Sequence, residues 1–287
     1  MNNSSSRPVV WVTGAGGLIG NYLCKSAGMH APGWQVKGLT RRELDLTDFN
    51  AVRELFRKDR PGLVIHCAAL SQSPVCQADP ATARQMNVEV TRVLAELAAG
   101  IPLLFFSTDL VFDGAAGNYD ETAPVSPLSV YAETKVEAER LVLANPRHTV
   151  LRTSINSGRS PAGDRSLNEQ VYWSWEKGET LWFFTDEFRS PIDAQVTARA
   201  TWELATRNEP GIYHVCGRKR LSRWEIGQLL AARRPDLNPK LVPTSRREYR
   251  GAPRPADPSL NCAKAQALLS FQLPGFDEWL ASGEADW

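Results

Sequence analysis

The chain has 287 residues, 43% hydrophobic and 23% charged, with 33 Lys and Arg set against 32 Asp and Glu. That length buries a core without disulfides or a structural metal, and a net charge of +1 supplies no field to steer nucleic acid or an anionic membrane. Five cysteines (Cys24, Cys67, Cys76, Cys216, Cys262), odd in number and never spaced as C-x-x-C, argue against a disulfide framework and a zinc site and for thiols in a reducing cytosol.

The opening MNNSSSRP lacks a signal-peptide apolar core, and IPLLFF at 101–106 is too short to span a bilayer. A cytoplasmic protein with a disordered tail over residues 1–6 is expected. From Val9 to about Arg152, short apolar runs (PVVWVTG, WQVKGLT, GLVIHCAA, IPLLFFST, HTVLRTS) alternate with helix-like stretches. This βαβ rhythm predicts an α/β fold, a doubly wound parallel sheet with helices on both faces, because strands covered on both sides lose in–out alternation. After Arg152 come strand-like ETLWFF and GIYHVCG and a helix beginning near Ser222, and seven of nine Trp lie beyond residue 170. Those Trp read as core packing or as an aromatic-lined cleft. The expected division is a nucleotide-binding domain over 7–154 and a mainly substrate-binding mixed α/β lobe over 155–287, with some segments returning to the sheet.

Between the first strand and first helix stands Thr13-Gly14-Ala15-Gly16-Gly17-Leu18-Ile19-Gly20. Glycines at 14, 17 and 20 permit a sharp turn, let backbone N–H groups approach a pyrophosphate and let the helix pack on the sheet. Gly14, Gly17, Leu18, Ile19 and Gly20 are therefore cofactor-binding candidates. The second strand ends at Leu39-Thr40-Arg41-Arg42, where an NAD site usually places an acid for the adenosine ribose. Arg41 and Arg42 suit a 2′-phosphate and favour NADP(H) over NAD(H); a solvated basic turn is the bland alternative. In the following LDLTD, Asp45 faces the adenine or caps the next helix, with Leu46 beside it.

Tyr131-Ala132-Glu133-Thr134-Lys135 puts a phenol and an ammonium one helical turn apart on one face. A nearby cation is expected to lower the phenol's pKa and make it a usable general acid for a carbonyl receiving hydride. Thr108, about 23 residues upstream in Ser107-Thr108-Asp109, offers a hydroxyl to the reacting oxygen at the sheet's carboxyl edge.

With these motifs in this order, the chain resembles an extended short-chain dehydrogenase/reductase, and most of all the dTDP-4-dehydrorhamnose reductase group. STDLVFDG (107–114), VYAETKVEAE (130–139), LRTS (151–154), FTDEFRSPIDAQ (184–195), GIYHVCG (211–217) and RPADPSLNCAK (254–264) carry the likeness. The resemblance implies a Rossmann-type sheet, a catalytic triad of Thr108, Tyr131 and Lys135, and NADPH-dependent reduction of a ketone, the 4-keto group of a nucleotide-linked deoxysugar. It further implies that Lys135 holds the nicotinamide ribose, that Ala68 and Ala69 line the cofactor, and that Asn87 supports the site, an ordinary polar helix residue being the alternative for Asn87. Asp109, Asn168 and Arg189 become candidates for substrate binding, each equally open to being a surface or packing residue.

Leu110 and Ile155 stand where the group usually carries a tyrosine and a tryptophan, and Glu187, Arg189 and Ile192 where it carries Gln, Gly and Thr. Sugar specificity is therefore expected to differ. Tyr22 replaces a glutamate some members use for a magnesium-linked dimer, so no metal is expected, and a homodimer stands only as a candidate assembly. His66 and His214 lie inside apolar strands and read as core imidazoles. Two other readings stay open: a nucleotide-sugar epimerase or dehydratase that retains NAD(H), which uses the same triad, and a non-catalytic NADP-binding regulatory subunit, since that of methionine adenosyltransferase also resembles this group.

Overall fold

The apolar runs without alternation form one parallel sheet, buried on both faces. The computed structural model describes residues 7–285; the tail expected over residues 1–6 lies outside the described residues. The first half runs β1 Val9–Thr13, α1 Leu18–His30, β2 Gln35–Leu39, α2 Phe49–Asp59, β3 Leu63–His66, α3 Ser73–Ala78, α4 Pro80–Arg84, a π-helical turn Gln85–Glu89, α5 Val90–Leu97, β4 Leu103–Thr108, α6 Val130–Leu143 and β5 Thr149–Thr153. The second half runs β6 Asn156–Ser157, α7 Leu167–Glu176, β7 Thr180–Phe184, β8 Phe188–Arg189, β9 Ile192–Asp193, α8 Ala194–Arg207, β10 Gly211–Val215, β11 Leu221–Ser222, α9 Arg223–Arg233, β12 Lys240–Thr244, α10 Ala263–Gln266 and α11 Phe276–Ala281.

The six-stranded sheet has the order β10-β5-β4-β3-β1-β2. The chain reverses direction across the sheet after β2, which opens a crevice at the carboxyl ends of β1 and β3, where open α/β sheets bind ligands. One face packs Val10, Val12 and Ile65 against Leu23 of α1 and Trp202 of α8. The other packs Trp11, Val64 and Phe105 against Leu94 of α5 and Val142 of α6. Trp202 is fully buried, and its indole N–H donates to the Leu23 carbonyl at 3.1 Å. A residue from the second half thus pins α1, the helix that follows the glycine turn, and truncating so large a buried ring costs about 3–5 kcal/mol.

The second half returns β10 to the sheet edge beside β5 and builds a separate lobe, in which β7 and β12 pair in parallel beneath α7 and α9. Trp175, Phe183, Ile226 and Phe276 form its core. Ser166 and Ser222 begin α7 and α9 with reciprocal capping boxes to Glu169 and Glu225, so two orphan amide groups at each helix start are satisfied. The tryptophans serve both expected purposes: Trp175, Trp202 and Trp279 are buried in cores, whereas Trp182 is 64% exposed and lines a cavity of about 270 Å³ with Phe183, Phe184 and Arg223.

Candidate active site

The glycine turn is shaped by close approach. Gly14 has φ 69°, and a Cβ there would stand 2.8 Å from the Ala68 backbone nitrogen, while one on Gly20 would fall on the Gly14 carbonyl. The Gly17 amide donates to that same carbonyl at 2.9 Å. No side chain fits at 14 or 20, so the loop lies flat against the turn that carries Ala68 and Ala69. Leu18 and Ile19 open α1, where backbone N–H groups lack helical partners and the dipole favours an anion. Thr13 accepts from the Ala68 amide at 3.3 Å and meets His66 Nδ1 at 2.7 Å. His66 bonds Thr91 at 3.1 Å through its other nitrogen, and burial, helped by Lys135, draws its pKa down to about 3. From the end of β3 it is a neutral link between Thr13 of β1 and Thr91 of α5.

Arg41 and Arg42 lie in the exposed turn after β2. The Arg41 side chain is 84% exposed and only 3.9 Å from Asp45, leaving its guanidinium available. Sequence reasoning passed over Glu43, an acid in this same turn; its carboxylate accepts from the Thr40 amide at 2.7 Å and from the Thr40 hydroxyl. Asp45 does not cap α2. It accepts from the Thr47 amide and hydroxyl at 3.0 and 2.7 Å, and Asp48 is the cap, taking the amides of Asn50 and Ala51. The Leu46 side chain packs in the core with Trp11 and Leu39, which leaves only its backbone for a ligand.

Asn87 is a fixed positioning residue. Buried in the π-helical turn, its amide oxygen accepts from Leu70 N–H at 2.8 Å and its nitrogen donates to Leu70 O and to Thr134 Oγ1, each at 3.0 Å. It thereby ties the turn after β3 to α6. Such π-turns recur at functional sites, and this one carries the amide that joins two elements already in apolar contact through Leu70, Tyr131 and Val130.

Helix α6 starts at Ser129, whose hydroxyl accepts from the Ala132 amide, and this cap sets Tyr131 and Lys135 on one buried face. Lys135 Nζ lies 3.9 Å from the Phe105 ring centroid. Burial draws its pKa down to about 7, against the opposing pull of Glu139. The expected lowering at Tyr131 is not found: burial first and the Asp109 charge second raise the phenol above its ordinary value, with the Thr108 hydrogen bond and Arg189 pulling the other way. Burying the phenolate costs more than nearby favourable charges and hydrogen bonds return. The phenol thus keeps its proton at neutral pH. Thr108 closes β4, accepting from the Leu110 amide and donating to Asp109 Oδ1, both at 3.2 Å.

The three residues expected to bind substrate have their polar atoms committed to protein. Asp109 is fully buried and takes Arg189 Nε at 2.6 Å, Arg189 Nη2 at 2.5 Å and the Ser154 hydroxyl at 2.5 Å. Asn168 clamps the Gly158 backbone, accepting from its N–H at 2.9 Å and donating to its carbonyl at 3.0 Å. Sequence reasoning missed Ser154, and missed that Glu187, 3.9 Å from Arg189, is itself held bidentately by Arg254 at 2.5 and 2.7 Å. Arg223 joins this cluster, its pKa drawn down to about 10 by burial against the pull of Glu187. Leu110 packs beside Tyr131 and Ile155 against the lobe core, so aliphatic surface replaces the two aromatic contacts. Tyr22 turns its hydroxyl to the Arg159 amide at 3.0 Å.

Residues 9–283 match the RmlD substrate-binding domain family. Methionine adenosyltransferase 2 subunit beta of Xenopus laevis is 31% identical over 276 residues, covering 90% of this chain and 81% of that protein. The dTDP-4-dehydrorhamnose reductase of Sinorhizobium fredii is 29% identical over 282 residues, covering 93% of each. Among solved structures, a Bacillus anthracis dTDP-4-dehydrorhamnose reductase in complex with NADP superposes with a TM-score of 0.88 at 22% identity, covering 96% of this chain and 98% of that one.

Proposed function

The chain belongs to the RmlD substrate-binding domain family, and on that premise we propose that it reduces a ketone with NADPH, the 4-keto group of a nucleotide-linked deoxysugar, with Tyr131 as proton donor. The observation that carries the reading is the convergence of Thr108, Tyr131 and Lys135 at the carboxyl end of β4, beside a glycine cradle that tolerates no Cβ at positions 14 and 20.

That cradle fits a dinucleotide. The first turn of α1 would take the pyrophosphate, Arg41 and Arg42 the 2′-phosphate, Ala68 and Ala69 the flat face of the cofactor and Lys135 the nicotinamide ribose. A bound nicotinamide dinucleotide supplies hydride to the carbonyl carbon. Tyr131 gives its proton to the carbonyl oxygen, and the Thr108 hydroxyl, turned from Asp109, orients that oxygen. Lys135, near neutrality, replenishes the proton. Asp109, Arg189 and Ser154 form a rigid floor that holds Thr108, and Asn168 shapes the sugar pocket through Gly158.

The test is oxidation of NADPH against a panel of nucleotide-linked 4-keto sugars. Turnover of one member with NADPH preferred over NADH supports the reading; stable retention of NAD(H) through purification would favour an epimerase or dehydratase instead. A second reading, a subunit that binds NADP(H) and regulates another enzyme, is favoured by one observation: the substrate-side polar groups Asp109 and Arg189 are saturated by each other, alongside 31% identity to a methionine adenosyltransferase subunit. Tight NADPH binding, no turnover and a stable complex with a methionine adenosyltransferase catalytic subunit would select it.

A further inference from the structure

The chemistry above uses none of the five thiols, yet two of them meet at the edge of its floor. Cys216 directly follows β10 and is fully buried, while Cys262 precedes α10, is half-buried and lines a cavity of about 320 Å³ beside Arg218. Both pack in the same apolar cluster with Phe112 and Leu260. Cys216 Sγ donates to the Leu260 carbonyl at 3.5 Å, two residues before Cys262, so the two thiols are neighbours within one apolar cluster. The neighbouring Cys216 thiol first, with a smaller pull from Arg218, holds Cys262 below the ordinary thiol value despite burial, whereas Cys216 is pushed well up. One sulfur is reachable and thiolate-prone; the other is dry and adjacent. This is the division between an attacking and a resolving cysteine.

We propose that Cys216 and Cys262 are a redox pair that closes to an intramolecular disulfide when the protein meets a hydroperoxide. The Cys262 thiolate attacks the terminal peroxide oxygen, the O–O bond breaks, and the peroxide leaves as its alcohol, or as water for hydrogen peroxide, leaving a sulfenic acid. The Cys216 sulfur displaces the hydroxyl as water and the S–S bond forms. Two thiols and one hydroperoxide thus give one disulfide, one alcohol and one water, with two electrons passing from sulfur to the peroxide. The inference stands independently of the proposed reductase reading.

The disulfide bears on the floor through a hydrogen-bond chain. Ser190 accepts from the Leu260 amide at 3.2 Å through its hydroxyl and from the Gly217 amide at 3.3 Å through its carbonyl. The Ser190 amide donates to Ser154 Oγ at 3.3 Å, and Ser154 donates to Asp109. Drawing two neighbouring sulfurs to a covalent length of about 2.05 Å moves both backbones that grip Ser190.

Hydrogen peroxide is the probe, with intact mass, thiol titration and non-reducing peptide mapping as readouts. Oxidised protein should lose two hydrogen masses and two of its five titratable thiols, yield a linked Cys216–Cys262 peptide and revert with dithiothreitol. Amide exchange at Ser190 and Leu260 should change on oxidation of the wild type and stay unchanged in Cys262→Ser, a half-exposed position that keeps the comparison open should Cys216→Ala fold poorly. A linkage mapping to Cys24 and Cys67 instead, oxygen accumulating on Cys262 with no linkage, or retention of all five thiols would each overturn the proposal.

Discussion

Tyr131 lies between two charged neighbourhoods built in opposite ways. On the side proposed to hold the cofactor stands Lys135, buried, without an ion pair among the described residues, against the Phe105 ring and drawn to about 7. On the side proposed to face the substrate Arg189 is bonded twice to Asp109, with Ser154 and Thr108 on the same carboxylate and the Glu187–Arg254 pair behind it. A buried cation near neutrality can change charge or meet a ligand; a saturated buried pair fixes geometry and resists either. One side is built to act and the other to hold.

The largest expected effect falls on the phenol between them. Tyr131→Phe removes the proton donor without opening a cavity, and kcat should drop about 10²- to 10⁴-fold with the unfolding midpoint unchanged. Reduction at near wild-type rate would show that the active side is not active. The holding side is broken by Arg189→Met, which leaves Asp109 buried and uncompensated and should cost about 3–5 kcal/mol in denaturant unfolding. Adding Asp109→Asn should restore most of that loss; full additivity of the two losses would mean the pair is not the unit described.

Lys135 separates the two sides by pH. Its folded pKa, about 7, lies below its ordinary unfolded value of about 10.4, so between these limits the unfolded chain holds more protons and stability rises with pH. Charge burial costs most below pH 7, at about 1.4 kcal/mol per unit of separation. Lys135→Met should therefore be more stable than wild type at pH 6, with the gap closing as pH approaches about 10, whereas the Arg189 variant should show no such convergence. The smallest effect belongs to the cofactor rim: replacing Arg41 and Arg42 by Ala should weaken NADPH about tenfold or more through lost charge-assisted bonds and leave NADH nearly unchanged, as isothermal titration would read. Equal losses for both would remove the 2′-phosphate role.

What the sequence revealed follows the same division. The glycine turn and the Tyr131–Lys135 face are local patterns, one fixed by backbone approach within a few residues and the other by helical spacing, and both lie where their motifs put them. The strand rhythm likewise yielded the parallel sheet, and GIYHVCG returned to it as β10. The holding side is non-local: Asp109 meets Arg189 across 80 residues and Ser154 across 45, and Asn87 reaches Thr134 across 47. No spacing rule joins such residues, so the sequence left Asp109, Arg189 and Asn168 open as sugar contacts or packing residues and could not show that Asp109 and Arg189 pair with each other. The direction at Tyr131 was misread for a related cause. Proximity to Lys135 could be read along the helix, but the burial that outweighs it comes from elements distant in sequence.

The most direct test of the central claim is isotope transfer. Protein given NADPH deuterated at the transferring position, together with the panel of nucleotide-linked 4-keto sugars, should place deuterium on the former carbonyl carbon of one sugar, and the Tyr131→Phe protein should place almost none. NADPH bound tightly with no deuterium reaching any sugar would contradict the reductase assignment and leave a protein that holds the cofactor for another purpose.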